Sequence, residues 1–342
     1  MEAQKDILLD AWGCQVLVAA NFSDGAVYTA NFYAQGVDYF ELLHGTGQNA
    51  VWGEDWANAS STFQLGAYNA QLMQAAARKR GQSVGSYLIA CDGRTALDIK
   101  LKAVALVSRG VRTLDCFYYG PAWAGYEKGM LIRSPELWSA VAEVVREVGA
   151  VEDWLLEARP RKAGTALLYS SASDIWTLNR NHAFGFDRMH TWLALAHAQV
   201  PVDIIHETEA AEGLLKGYKV CYLSGTHLTS ACAEELRRWV LDGGTLILTA
   251  DAASFDEYNR KASAVDKLLP VERLGVQQLE PRLTEGRGLG SLSVRDAVKT
   301  ASCCFDVLSV KQGFKAPLPA SVQVMGTYAD WMAPQKQVQS LC

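Results

Sequence analysis

The sequence predicts an α/β protein built from two successive series of parallel β/α units. Three observations predict it. Short, apolar, β-rich runs alternate with stretches of helical spacing, and the alternation restarts midway along the chain. Between the two series lies Ala158-Arg159-Pro160-Arg161-Lys162, a basic, proline-broken connector. The first series is assigned to residues 1–157 and the second to 163–342.

Composition bounds what such a chain can do. With 342 residues, 49% hydrophobic and 20% charged, it has room for two domains and is too apolar for disorder. Lys plus Arg is 32 against 37 for Asp plus Glu, a net charge of −5, which is poorly suited to neutralising phosphates; no nucleic-acid partner is expected. No apolar run approaches the roughly 20 residues that cross a bilayer, so no membrane partner is expected. The opening MEAQKDILLD carries acids where a secretory leader carries a basic patch and an apolar stretch, and the expectation is a cytoplasmic protein. The eight cysteines form no CxxC pair, and Cys303 and Cys304 are adjacent, a spacing unsuited to one tetrahedral metal. Reduced thiols, no metal and no cofactor are expected.

Taken in order, residues 14–22 (CQVLVAANF) read as a strand, with 26–32 a second strand or a continuation. Residues 37–43 give a turn or two of helix, and 48–53 a strand ending at Glu54-Asp55-Trp56. Helical spacing covers 65–79, rich in Ala, Leu, Met and Gln, with Gly81 as the stop. A strand follows at 84–91, a helix at 95–108 capped by Gly110, and a strand at 111–118. Residues 134–156 read as one long amphipathic helix, with Ser134 at the N-cap and Pro135 in the first turn. In the second series, strands are expected at 165–170, 201–206, 218–223 and 245–250, and helices at 185–199 and 230–241, a doubly wound, flavodoxin-like pattern. Beyond Asp251 the signal decays, and a poorly defined tail with a few strands is expected.

The sharpest chemical cluster is Val51-Trp52-Gly53-Glu54-Asp55-Trp56, at the C-terminal end of a strand. In a β/α barrel, strand C-termini build the active-site face. Two carboxylates between two indoles suit a sugar: acids for proton transfer or nucleophilic attack, flat apolar faces for the ring. A loop whose tryptophans cover the barrel end and whose acids cap the next helix would look the same. The next strand ends Ala90-Cys91-Asp92-Gly93-Arg94, which is expected to put Asp92 on the face of Glu54 with Arg94 able to bind a hydroxyl or favour a neighbouring carboxylate, although an Asp-Gly turn alone explains the pair. The following one ends in Phe117-Tyr118-Tyr119-Gly120-Pro121-Ala122-Trp123, aromatic in the manner of a carbohydrate platform. The candidate catalytic residues are Glu54, Asp55 and Asp92; the candidate substrate-binding residues are Trp52, Trp56, Arg94, Tyr118 and Trp123. Cys221 with His227 suggests a cysteine nucleophile, but Cys221 lies inside the run YKVCYL, not at a strand-to-helix elbow. No G-x-G-x-x-G follows the strand at 165–170, and His182, His190 and His197 repeat no ligand motif.

Together these segments resemble the glycoside hydrolase family 42 β-galactosidases. Asn31-Phe32 with Val37-Asp38-Tyr39-Phe40 is similar to the segment after the family's fifth barrel strand, 50–56 to the sixth strand, 84–92 to the seventh, and LKAVALVSRGVRTLDCFYY (101–119) to the approach to the eighth. The most specific match is 218–249, with LSGTHLTSACAEELRRWVLDGGTLILT, which resembles the family's trimerisation domain, a class I glutamine amidotransferase-like fold without that chemistry. Gly326-Thr327-Tyr328-Ala329-Asp330 echoes a closing segment of that domain. The resemblance implies a partial (β/α) barrel followed by a doubly wound flavodoxin-like domain. It also implies hydrolysis of O-glycosidic bonds by paired carboxylates, and a homo-oligomer.

The departures limit that expectation. The family places an acid/base Glu after an Asn at the end of the fourth strand, and nothing upstream of residue 14 supplies the first barrel half. At the seventh strand, where the family has its nucleophilic Glu, this chain has Ala90-Cys91-Asp92. An N-terminally truncated relative, weak or inactive alone, is expected. The competing reading is a non-catalytic carbohydrate-binding or oligomerisation module using Trp52, Trp56 and Trp123.

Overall fold

A computed structural model of the chain describes residues 2–12, 16–22, 38–54, 62–90, 94–117, 134–176, 183–278, 296–307, 310–329 and 339–340. It divides into two compact units, Met1–Lys162 and Ala163–Cys342.

The first unit runs α1 (Glu2–Trp12), β1 (Asn21–Phe22), α2 (Tyr39–His44), β2 (Ala50–Gly53), α3 (Thr62–Arg78), β3 (Ser83–Ile89), α4 (Ala96–Ser108), β4 (Thr113–Phe117), α5 (Pro135–Gly149) and α6 (Glu152–Glu157). Its four strands pair in parallel in the order β1-β2-β3-β4, each laid beside the one before, as in a stretch of β/α barrel wall. Local chemistry sets the helix starts. The Asp38 carboxylate accepts from the Phe40 and Glu41 amides, both at 3.0 Å. Thr95 and Asp98 form a reciprocal box, satisfying one orphan N–H each. At the end of α4, Gly110 takes φ +89°, a left-handed turn natural to glycine. One side of the sheet packs on helices: Leu88, Leu114 and Cys116 meet Ile99 and Ala103 of α4 and Leu137, Val141 and Val144 of α5.

Two expectations for this unit need correction. The strand expected at 14–22 forms its ladder only at Asn21–Phe22, although Val18 and Ala20 still accept from Asn49 and Trp52. The single helix expected at 134–156 is two, because the chain turns at Ala150–Val151, just past Gly149, before α6 restarts at Glu152. Ser134 stands at the N-cap of α5 without capping it through its side chain. The strand expected at 26–32 lies outside the described residues.

The second unit begins with β5 (Thr165–Tyr169), α7 (Ser171–Trp176), α8 (Ala183–His197), β6 (Val202–His206), α9 (Glu207–Ala211), β7 (Val220–Leu223), α10 (Ser230–Leu241) and β8 (Thr245–Leu248). These strands are parallel in the order β6-β5-β7-β8, the doubly wound arrangement expected, with its reversal of direction between β5 and β7. Ala166, Leu168, Ile205, Cys221 and Leu223 pack against Cys232, Leu236 and Trp239 of α10. At the strand ends, Glu207 is buried and accepts from the amides of Ala172 (2.9 Å) and Thr229 (2.8 Å) and from the Ser170 hydroxyl (3.3 Å). One carboxylate thus ties together the segments that follow β5, β6 and β7. On α8, burial lifts the Asp187 carboxyl from 3.8 to about 7, a rise that the Thr249 side chain opposes.

The tail is better organised than its sequence predicts. It holds β9 (Arg273–Gln278), β10 (Asp296–Thr300), β11 (Cys304–Val307), β12 (Val310–Phe314), β13 (Gly326–Tyr328) and β14 (Gln339–Ser340). They form an antiparallel sheet in the order β11-β10-β13-β14 and a separate β12-β9 pair. Short strands with few apolar residues give little periodicity, and long-range pairing makes up for it. Lys311 of β12 and Asp296 of β10 form a fully buried ion pair, with the ammonium 5.0 Å from the Tyr328 ring centroid.

Candidate functional site

The face of the first sheet turned away from α4 and α5, free of helices among the described residues, gathers polar and aromatic groups. Side chains alternate along a strand, so Trp52 and Glu54 point away from Val51 and Gly53, and Asp115 and Phe117 point away from Leu114 and Cys116. Ring contacts fix the common face: Trp52 to Tyr87 at 6.3 Å and Tyr87 to Phe117 at 5.6 Å, edge to face. Gly85 permits this arrangement, since a Cβ there would stand 2.7 Å from the Trp52 ring. The Asn21 amide, on β1, donates to Oε2 of Glu54. The Trp52 indole N–H is buried with no hydrogen-bond partner among the described residues. Burial, then Asp115, then Glu54 push the Tyr87 phenol above its ordinary value of 10.0, so it stays protonated.

Of the residues singled out from sequence, Glu54 and Trp52 lie together on this face. Arg94 stands half-buried just before the Thr95 cap. Asp55, Trp56, Asp92, Tyr118 and Trp123 lie outside the described residues. Asn21, Tyr87 and Asp115 were not singled out. A signal for Asp115 existed: Leu114 and Cys116 alternate with Thr113 and Asp115, which assigns Asp115 to the face opposite Leu114.

The second unit offers a different chemistry and withholds it. Cys221 is fully buried in the core, and burial pushes its thiol up to about 12, far from a thiolate nucleophile at neutral pH. His227 bonds to Asn259 through Nε2 and to Thr226 through Nδ1, stacked between the rings of Trp176 and Phe255. No cluster of three or more potential metal ligands occurs among the described residues, and none of their helices is long and apolar enough to cross a membrane.

No family model and no curated protein matches the chain by sequence. Solved structures do match by shape. A catalytic mutant of Gan42B, a GH42 β-galactosidase from G. stearothermophilus, superposes with a TM-score of 0.68 at 15% identity, over 92% of this chain and 47% of that one. A further Gan42B structure gives 0.66 at 16% identity, over 86% and 45%. An apo exo-carrageenase of GH42 from Bacteroides ovatus gives 0.53 at 11%, over 99% and 54%. The chain spans about half the length of these proteins. It shares the α/β fold of that half of a GH42 glycoside hydrolase, with two parallel-sheet units in succession.

Proposed function

We propose that the face of the first sheet turned away from α4 and α5 is a carbohydrate site and that the chain is a glycosidase of the β-galactosidase type, hydrolysing O-glycosidic bonds with Glu54 as an essential carboxylate. One observation supports this reading above the rest. Glu54 shares a face with the rings of Trp52, Tyr87 and Phe117 at the C-terminal side of parallel strands, which combines proton transfer with flat apolar surface for a sugar. The Trp52 indole N–H, without a hydrogen-bond partner among the described residues, adds a donor for a sugar hydroxyl. The GH42 fold of the solved relatives agrees with the same chemistry.

The test is hydrolysis of aryl β-galactosides by the full chain and by Glu54→Gln. Turnover that the substitution abolishes supports the enzyme. No turnover, with galactoside binding retained and weakened by Trp52→Ala, would make this face a non-catalytic binding module. Neither turnover nor binding overturns the carbohydrate reading.

A further inference from the structure

We propose that the second unit carries a separate sugar-binding surface, a platform of Trp176, Tyr258, Asn259 and Arg260 that holds a β-galactoside chain without cleaving it. The proposal takes only the class of ligand from the carbohydrate reading above; its residues lie on other elements. Trp176 ends α7, and the other three are consecutive in the segment that follows β8.

Three rings stack in series beneath this surface. Trp176 lies on His227 with ring centroids 5.8 Å apart and 15° between planes, and His227 lies on Phe255 at 5.2 Å and 24°. The imidazole is held at both nitrogens by Asn259 and Thr226, and the indole N–H donates to the Glu257 carbonyl at 2.9 Å. Trp176 nevertheless keeps 42% of its surface exposed. With one ring face on His227 and the N–H bonded, that surface is chiefly the opposite ring face. A flat apolar face fixed in the open suits the C–H side of a pyranose, and an indole already immobile loses little freedom on binding.

The segment that carries the other three residues is equally fixed. The Phe255 N–H donates to the Thr226 carbonyl and the Leu228 N–H to the Phe255 carbonyl, both at 3.0 Å. The Asp256 carboxylate accepts from the amides of Tyr258 (2.9 Å) and Arg260 (2.8 Å), closing a tight turn. Ala253 takes φ +52° and Asn259 φ +61°; alanine adopts that conformation only at a cost, so its surroundings impose it. The turn presents Tyr258, 65% exposed, with the Arg260 guanidinium 5.1 Å from its ring centroid. Among the described residues, the Tyr258 hydroxyl, the Arg260 guanidinium and the Asn259 amide nitrogen have no hydrogen-bond or ion-pair partner. Ring faces bordered by open donors match a ligand rich in hydroxyls. The acids of the turn already serve the backbone, Asp256 as above and Glu257 by accepting from the Ser230 amide (2.8 Å) and hydroxyl (2.9 Å), which makes this a surface for binding and not for hydrolysis.

The experiment runs the full chain in native gels cast with soluble β-galactan and follows the tryptophan indole signals by heteronuclear NMR as galactotetraose is added. Wild type should be retarded, and so should a Trp52→Ala/Glu54→Gln variant. Trp176→Ala and Tyr258→Ala should each weaken binding about tenfold while hydrolysis of aryl β-galactosides stays at the wild-type rate. Trp176→Phe keeps a ring on His227 and should retain most of the affinity, which separates loss of the platform from loss of folding. The indole signal missing from Trp176→Phe should be one that galactotetraose moves in wild type. No retardation of wild type, retardation unchanged in Trp176→Ala/Tyr258→Ala, or a Trp176 signal that stays still overturns the surface and leaves the glycosidase reading standing. A smaller oligomer in that double variant, read by light scattering with retardation unchanged, assigns the patch to a second copy of the chain and overturns the surface too. Retardation that depends on Trp176, with no hydrolysis by wild type, supports the surface and overturns the enzyme.

Discussion

Replacing Asp187 with Asn should stabilise the second unit at neutral pH and remove most of its pH dependence. The perturbation deletes one enclosed charge while keeping the shape of the side chain. Burial raises this carboxyl from 3.8 to about 7, and at 1.36 kcal/mol for each tenfold change that rise costs about 4 kcal/mol once the group is ionised in both states. The residue keeps some surface, so solvent trims the cost to roughly 2–4 kcal/mol. Because the folded state holds this proton more tightly than the unfolded chain, the stability it confers is complete below about pH 4. That stability drains away as pH climbs toward and through about 7. Glu207, also raised by burial, adds a slope of the same sign. Native-state hydrogen exchange of β6 and β7, with urea, from about pH 4 to about pH 8 reads this unit separately from the first. Wild type should lose protection as pH rises, and Asp187→Asn should keep most of it, with only the Glu207 slope remaining. A flat wild-type profile, or an Asn variant with the full slope, would refute the reasoning.

Three further outcomes follow from packing and burial. Gly85→Ala should push the Trp52 ring off the sheet, costing about 1–3 kcal/mol in thermal unfolding and weakening galactoside binding; a variant with wild-type stability and binding would contradict the 2.7 Å approach. Asp296→Asn should leave the Lys311 ammonium buried without its carboxylate and cost about 3–5 kcal/mol in urea denaturation. Adding Lys311→Met should recover much of that loss, and no recovery would place the damage elsewhere. In the native chain iodoacetamide should label exposed Cys303 and Cys304 long before Cys221; equal rates, read by mass spectrometry, would show that the second core opens readily.

Much of the fold was legible because its cause is local. The strands at 84–91, 165–170 and 218–223 announce themselves as short apolar runs, and Thr95, Asp98 and Gly110 mark the ends of their helix by side-chain and backbone chemistry. What was not legible depended on partners distant in sequence. Apart from the tight β10–β11 hairpin, the tail strands pair with partners distant in sequence and show little apolar alternation. The split between α5 and α6 was hidden by Val148-Gly149-Ala150-Val151, where residues apolar enough for one continuous helix surround the glycine. In the candidate site, Glu54 and Trp52 were visible at a strand end. Tyr87 and Asp115 sit inside strands, and they join Glu54 only through the register of three chain segments.

The Glu207 carboxylate has a kinetic consequence. It accepts from the amides of Ala172, in the first turn of α7 after β5, and Thr229, at the N-cap of α10 after β7, and its own backbone opens α9 after β6. Neither segment can lift away without leaving the buried carboxylate short of a donor, so opening one is expected to ease the opening of the other. The three helix starts are therefore expected to behave as a single latch, the amide hydrogens at 172 and 229 exchanging with solvent in concert despite their separation along the chain.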